Sequence, residues 1–123
     1  MATAFSPQER ERIRDSLLDA ALKSAATQGM RHATVDGLAR EAGISKGAFY
    51  RFYPSKEHLF LSMLERTHEE MYGSAEKVLD ERTDLPLRER TMRAILEVFR
   101  VAETYNLIPF IREELPLLLR RLP

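Results

Sequence analysis

Gly43 and Pro54 set the tightest limits on what this chain can fold into. Gly43 stands between two short apolar-patterned segments, and Pro54 closes the second. Glycine adopts a positive φ at little cost, so position 43 predicts a tight turn. Proline lacks the N–H and fixes φ, so position 54 predicts an abrupt stop. The segment before Gly43 places Val35, Leu38, Ala39 and Ala42 at i, i+3, i+4 and i+7, one helical face. The segment after it places Phe49 and Phe52 on one side and distributes Lys46, Tyr50, Arg51 and Tyr53 elsewhere. Helices this short are marginal alone. They need a third helix behind them, and they leave a polar, cationic, aromatic-bearing face outside. A helix-turn-helix reading element has those requirements.

The flanking sequence supplies the missing helices. Ser6-Pro7-Gln8-Glu9 carries an N-cap, a proline at the first helical position and a capping-box glutamate. Ile13, Leu17, Ala21, Leu22, Ala25 and Ala26 continue as a stripe, and Gly29 is the expected stop, giving a helix over about 7–28. Thr34 and Ser45 are N-caps for helices over about 35–42 and 45–53. Ser55 caps a fourth helix expected over about 55–81, long enough to bridge two packing units. A fifth is expected over about 86–104 with Met92, Ile95, Leu96, Phe99 and Ala102 inward. Pro109 opens a short helix that Pro116 should kink or end. The fold class is all-α: a three-helix helix-turn-helix domain over 1–54, joined by the long fourth helix to an incomplete helical regulatory and dimerising domain over 55–123.

At 123 residues the chain allows one or two small domains, and its 44% apolar and 31% charged content is that of a folded, not a disordered, polypeptide. No apolar run approaches the roughly 20 residues of a membrane span, and Met1 leads into polar residues, which argues against a secretory signal. The absence of cysteine excludes disulfides and thiolate metal sites and suits a reducing cytoplasm. The net charge of zero hides a mild asymmetry. Residues 1–67 hold 10 basic and 8 acidic side chains, which leaves 9 and 11 for residues 68–123. That is weaker than the basic footprint of many DNA-binding domains, so an anionic partner would require local concentration of cations and two copies of the chain.

The run from Gly29 to Leu59 closely resembles the signature of TetR-family transcriptional repressors. The resemblance is strong over about 10–67, most specific from Gly43 to Lys56, and only general beyond Leu64. It implies a non-enzymatic, cytoplasmic, homodimeric repressor without cofactor or metal. Such a protein binds a palindromic double-stranded DNA operator and is released from it by a small-molecule effector. By position, Thr34 resembles the phosphate contact at the start of the second helix. Ser45, Lys46, Gly47 and Ala48 match the front of the recognition helix. Tyr50 and Arg51 match DNA-contacting positions, and Lys56 matches a phosphate-holding lysine. The position of Phe52 often carries histidine, which can donate to phosphate as phenylalanine cannot. The lost contact is either absent here or taken over by Tyr53. Similar proteins are considerably longer, so the effector pocket is expected to be only partly present.

Other chemistry finds little support. Glu65 and His68 have the Glu-x-x-His spacing of a di-iron half-site, but such a site needs a second copy and two more glutamates. No nucleophile triad, glycine-rich phosphate loop or metal-ligand cluster is visible. Met63, Thr67, His68, Met71 and Phe99 are the candidate effector-lining positions. All lie on or beside apolar stripes, and spacing does not separate a ligand wall from a packed core. The alternative reading is a helical protein-interaction module in which residues 34–56 merely pack.

Overall fold

The computed structural model describes residues 4–123; Met1 to Thr3, the start of the expected first domain, lie outside the described residues. The chain is all-helical. Helix α1 spans Pro7–Ala26, α2 Val35–Glu41, α3 Lys46–Phe49, α4 Lys56–Glu81, α5 Leu87–Thr104, α6 Ile108–Glu113 and α7 Leu115–Arg121. A 3₁₀ turn over Met30–His32 joins α1 to α2. No helix of the described residues is long and apolar enough to cross a membrane.

The helix starts follow from local chemistry. The Ser6 hydroxyl accepts from the Glu9 amide at 3.1 Å, and the Glu9 carboxylate accepts from the Ser6 amide at 3.2 Å, completing the capping box. Those bonds hold the Glu9 carboxyl below its ordinary pKa. Thr34, Ser45 and Ser55 repeat the device, accepting from the amides of Gly37, Ala48 and His58. Each satisfies a donor that a helix start leaves orphaned.

Two element ends differ from expectation. Helix α1 stops at Ala26, because Thr27 leaves helical geometry and the Gly29 amide turns back to the Ser24 carbonyl at 2.7 Å. Helix α3 is regular only over Lys46–Phe49. The chain stays coiled to Tyr53 through tighter bonds, Arg51 to Ala48 and Phe52 to Phe49. The short helix opened at Pro109 ends at Glu113, as expected ahead of Pro116, but the chain then resumes as α7 with Pro116 in its first turn, where the missing N–H costs nothing.

One buried cluster runs from Ile13 on α1 to Leu118 on α7. Leu17, Ala21, Phe49, Leu59, Phe60 and Met63 are fully buried where α1, α3 and the start of α4 meet. The C-terminal helices close it, with Phe110 stacked 5.9 Å from Phe60 and Leu107 and Leu118 fully buried. Helix α5 returns antiparallel along α4. Arg90 donates to the Leu79 carbonyl near one end of the pair, and the Tyr105 hydroxyl donates to Glu70 at 2.6 Å near the other. That bond holds the Tyr105 proton above its ordinary range.

The inward face expected for α5 is wrong in all but one residue. Met92, Ile95, Leu96 and Phe99 are each more than half exposed, and only Ala102 of that set is buried. The side facing α4 is instead Ala94, Val101 and Ala102, with Val98 part-buried. Small residues let the two helices approach closely. The larger apolar side chains form a second stripe, which periodicity alone does not distinguish from the first.

Exposure decides what truncation should do. Leu17→Ala should lose roughly 2–5 kcal/mol of stability in urea titration through the cavity it leaves. Leu96→Ala, 62% exposed in the wild type, should stay within about 0.5 kcal/mol. Equal losses would mean that the outer stripe of α5 is covered in solution.

Candidate nucleic-acid interface

The turn at Gly43 aims α2 and α3 at one another. Gly43 has φ +73°, and a β-carbon there would meet nothing within 4 Å, so its requirement is conformational. Behind the turn, α2 packs on α1, and Leu38, Ala39 and Phe49 are buried in the shared core. In front, a hollow of about 460 Å³ gathers Thr34, Lys46, Tyr50, Ser55 and Lys56 with Asp36. Residues from three successive helix starts and from the end of α3, all within positions 34–56, thus share one outward face.

The members of that face are not equivalent. Tyr50 is 49% exposed and meets Phe49 edge-on, with ring centroids 5.5 Å apart. Lys46 stands 3.9 Å from Asp36 with both side chains more than half exposed, an arrangement worth at most about 1 kcal/mol. An incoming anion could therefore recruit Lys46 at little cost. Arg51 is exposed and has no ion-pair partner among the described residues. Ser45 and Thr34 use their oxygens as caps and keep their hydroxyl protons for an acceptor.

Gly47 and Ala48 present almost no side chain. Gly47 has an ordinary negative φ, and an added β-carbon would come no nearer than 4.0 Å to the Ser45 hydroxyl. Nothing inside the protein requires glycine there.

Two residues have more internal work than the sequence suggested. The Lys56 ammonium donates to the Met30 carbonyl at 3.0 Å and the Ala33 carbonyl at 2.9 Å, so it braces the loop before α2. Its third proton remains for an outside acceptor. Tyr53 is only 9% exposed, with its ring 6.2 Å from that of Phe49, so its bulk belongs to the core, not the outward face. Phe52 lies between the Phe5 ring at 6.0 Å and the Arg10 guanidinium at 5.6 Å. A cation therefore stands over the phenylalanine, an arrangement that spacing alone did not reveal.

The candidate effector residues divide. Thr67, His68 and Met71 line a hollow of about 540 Å³ closed on its other side by Ile111 and Leu115. The Thr67 hydroxyl is spent on the Met63 and Leu64 carbonyls, and the His68 ring lies 4.3 Å from Tyr72. Met63 does not reach that hollow: it is fully buried in the core. Phe99 is 59% exposed and lines a separate groove between α4 and α5 with Tyr72 and Leu79. No group of three or more histidine or carboxylate side chains is placed to hold a metal among the described residues.

Glu114 and Asn106 did not stand out in the sequence. Glu114 is 7% exposed and accepts from the Met30 amide. Asn106 has φ +54° and donates from its side chain to the Ala26 carbonyl at 2.8 Å. Asparagine's tolerance of the left-handed region was a local signal for the turn. No local signal marks Glu114, whose partner lies 84 residues away.

Fold and face together define a helix-turn-helix protein of the bacterial regulator class. Residues 17–63 match the profile described as bacterial regulatory proteins, tetR family, and this chain is a member of that family. It is 46% identical over 57 residues to the uncharacterized HTH-type transcriptional regulator YuxN of Bacillus subtilis (strain 168), covering 46% of this chain and 19% of that protein. It is 31% identical over 91 residues to YhgD of the same strain, also an uncharacterized HTH-type transcriptional regulator, covering 74% and 47%. The nucleoid occlusion factor SlmA of Vibrio atlanticus (strain LGP32) is 31% identical over 99 residues, covering 80% and 49%. The matches thus span half or less of those relatives' lengths. No solved structure matches the chain significantly.

Lys56→Ala removes two charge-assisted bonds from the loop before α2. The loss in chemical denaturation should fall at the lower end of the roughly 1.5–3 kcal/mol typical of such bonds, because the ammonium is only part-buried. An unchanged midpoint would show that the brace does not form in solution.

Proposed function

We propose that this protein is a DNA-binding transcriptional regulator that reads duplex DNA with α2 and α3. The observation that carries this reading is the convergence of Thr34, Lys46, Tyr50 and Lys56 on one open face around a recognition helix whose second residue is an unforced glycine. On this reading residues 1–54 are the reader and residues 55–123 begin the regulatory part. Thr34, Tyr50 and the third proton of Lys56 fix register on phosphate, while Ser45, Lys46 and Arg51 face base edges. Gly47 and Ala48 let the groove wall approach, and Tyr53 supports the turn from within. Two copies would place their recognition helices about 34–36 Å apart on a palindromic operator.

The regulatory half of the proposal is repression relieved by a small molecule. The hollow beside Thr67, His68 and Met71 has a volume in the range of small-molecule sites and mainly apolar walls. An effector there lowers DNA affinity only through preference for a form that binds DNA poorly. That YuxN and YhgD are HTH-type transcriptional regulators supports the DNA-reading half of the proposal. The exposed stripe of α5 supports a second reading, an interaction module without DNA binding.

Fluorescence anisotropy with palindromic duplexes at several salt concentrations separates the two. Salt-dependent binding is expected, and a dimer that binds no duplex at low salt sinks the DNA reading. Lys56→Ala should weaken all sequences alike and reduce the salt slope by about one unit. Lys46→Ala and Arg51→Ala should instead change the ranking among sequences. Gly47→Ala isolates function from fold. It should leave stability unchanged or raise it by up to about 1 kcal/mol, since alanine is the better helix former, while DNA affinity falls. Unchanged affinity would remove Gly47 from the interface.

A further inference from the structure

We propose that Glu114 is a positioning residue for the reading unit. Its carboxylate, carried at the junction of α6 and α7, holds the Met30 amide and so ties the placement of those helices to the start of α2. The proposal deepens the DNA-binding reading and rests on it.

Glu114 Oε2 accepts from the Met30 N–H at 2.5 Å across 84 residues of sequence. Glu114 is 7% exposed as a residue, and its carboxylate forms no ion pair among the described residues. A carboxylate buried to that degree is costly without hydrogen-bond partners, and an apolar side chain would pack at lower cost. What the carboxylate adds is an acceptor aimed at one backbone amide. The loop is shaped to receive it. Gly29 has φ +86°, which favours glycine, and a β-carbon there would fall 1.9 Å from Glu114 Oε1, so a larger residue would displace the carboxylate.

The carbonyl of the same residue, Met30, accepts from Lys56. Met30 is thus held from both sides, by α4 through its C=O and by the α6–α7 junction through its N–H. Four residues later Thr34 caps α2. Ile111 and Leu115, which flank Glu114 in the chain, form one wall of the hollow beside Thr67 and Met71. Movement of that wall carries Glu114 with it and leaves the Met30 amide without its partner. Coupling of this kind is reciprocal: DNA held by α2 and α3 must also bias α6 and α7.

The test is amide hydrogen exchange on the full chain, comparing wild type, Glu114→Gln and Glu114→Ala. In Glu114→Ala the Met30 amide should exchange about tenfold faster or more, α2 should follow, and α4 amides around Phe60 should change less. Glu114→Gln keeps an acceptor oxygen and should restore most of the protection. Should the alanine variant unfold, Glu114→Leu keeps the packing without the acceptor and takes its place. Adding a duplex selected from a random pool should slow exchange across α6 and α7 in wild type and Glu114→Gln, but not in Glu114→Ala. The proposal is overturned if Met30 exchange is unchanged, if Gln and Ala behave alike, or if Met30 and Phe60 accelerate together. If wild type binds no duplex, the proposal falls with its premise. An intact Met30 response then distinguishes that outcome from failure at Glu114 itself.

Discussion

The ammonium of Lys56, donating to the Met30 and Ala33 carbonyls, is the contact on which the geometry of the outward face depends. Helices α2 and α3 are seven and four residues long, too short to hold a shape unaided. Their placement must come from neighbours. Phe49 anchors α3 from behind, fully buried in the core that α1 and α4 build. Lys56 anchors the entry to α2 from the side. A lysine in the first turn of a helix opposes the macrodipole, and the two carbonyls explain why it is tolerated at that position.

Local signals made most of the helical scaffold legible in the sequence. Ser6, Thr34, Ser45 and Ser55 announce helix starts because a cap needs only its own next three residues. Gly43 announces the turn because its backbone angle is open to few other residues at comparable cost. The outward face was legible at Lys46, Gly47, Tyr50 and Arg51 for a similar reason: the residues are polar or absent where a short helix would profit from apolar contact. Tyr53 was harder to place. An amphipathic side chain beside a turn can point either way, and the tightened coil after Phe49 rotates it inward.

What stayed hidden depends on tertiary pairing. Helix α5 has two apolar sides, and the sequence weights Met92, Ile95, Leu96 and Phe99 above the alanines that in fact face α4. Large side chains dominate any periodicity argument, whereas close helix packing selects small ones. Met63 and Met71 are eight residues apart on α4, about 80° round the helix. Both are buried in the core, but that rotation brings only Met71 to the hollow's wall as well. Glu114 and Arg10 act on residues far along the chain, and neither type nor spacing points to the partner.

A net charge of zero is compatible with an anion-reading face because screening shortens electrostatic reach to about 8–10 Å in physiological salt. Within that distance the balance is local. Lys46 and Lys56 border the hollow together with Asp36 and Glu57, and Glu57 is partly neutralised by Arg121 at 3.4 Å. The Asp36–Lys46 pair is loose enough for a phosphate to displace the carboxylate. Such a face binds weakly per copy, which on the proposed reading makes affinity depend on two copies held at fixed separation. It also makes the face sensitive to small rotations, because each contact contributes little and misalignment loses several together. A reading unit positioned from outside by Lys56 and by the helices beyond it is suited to control from those helices.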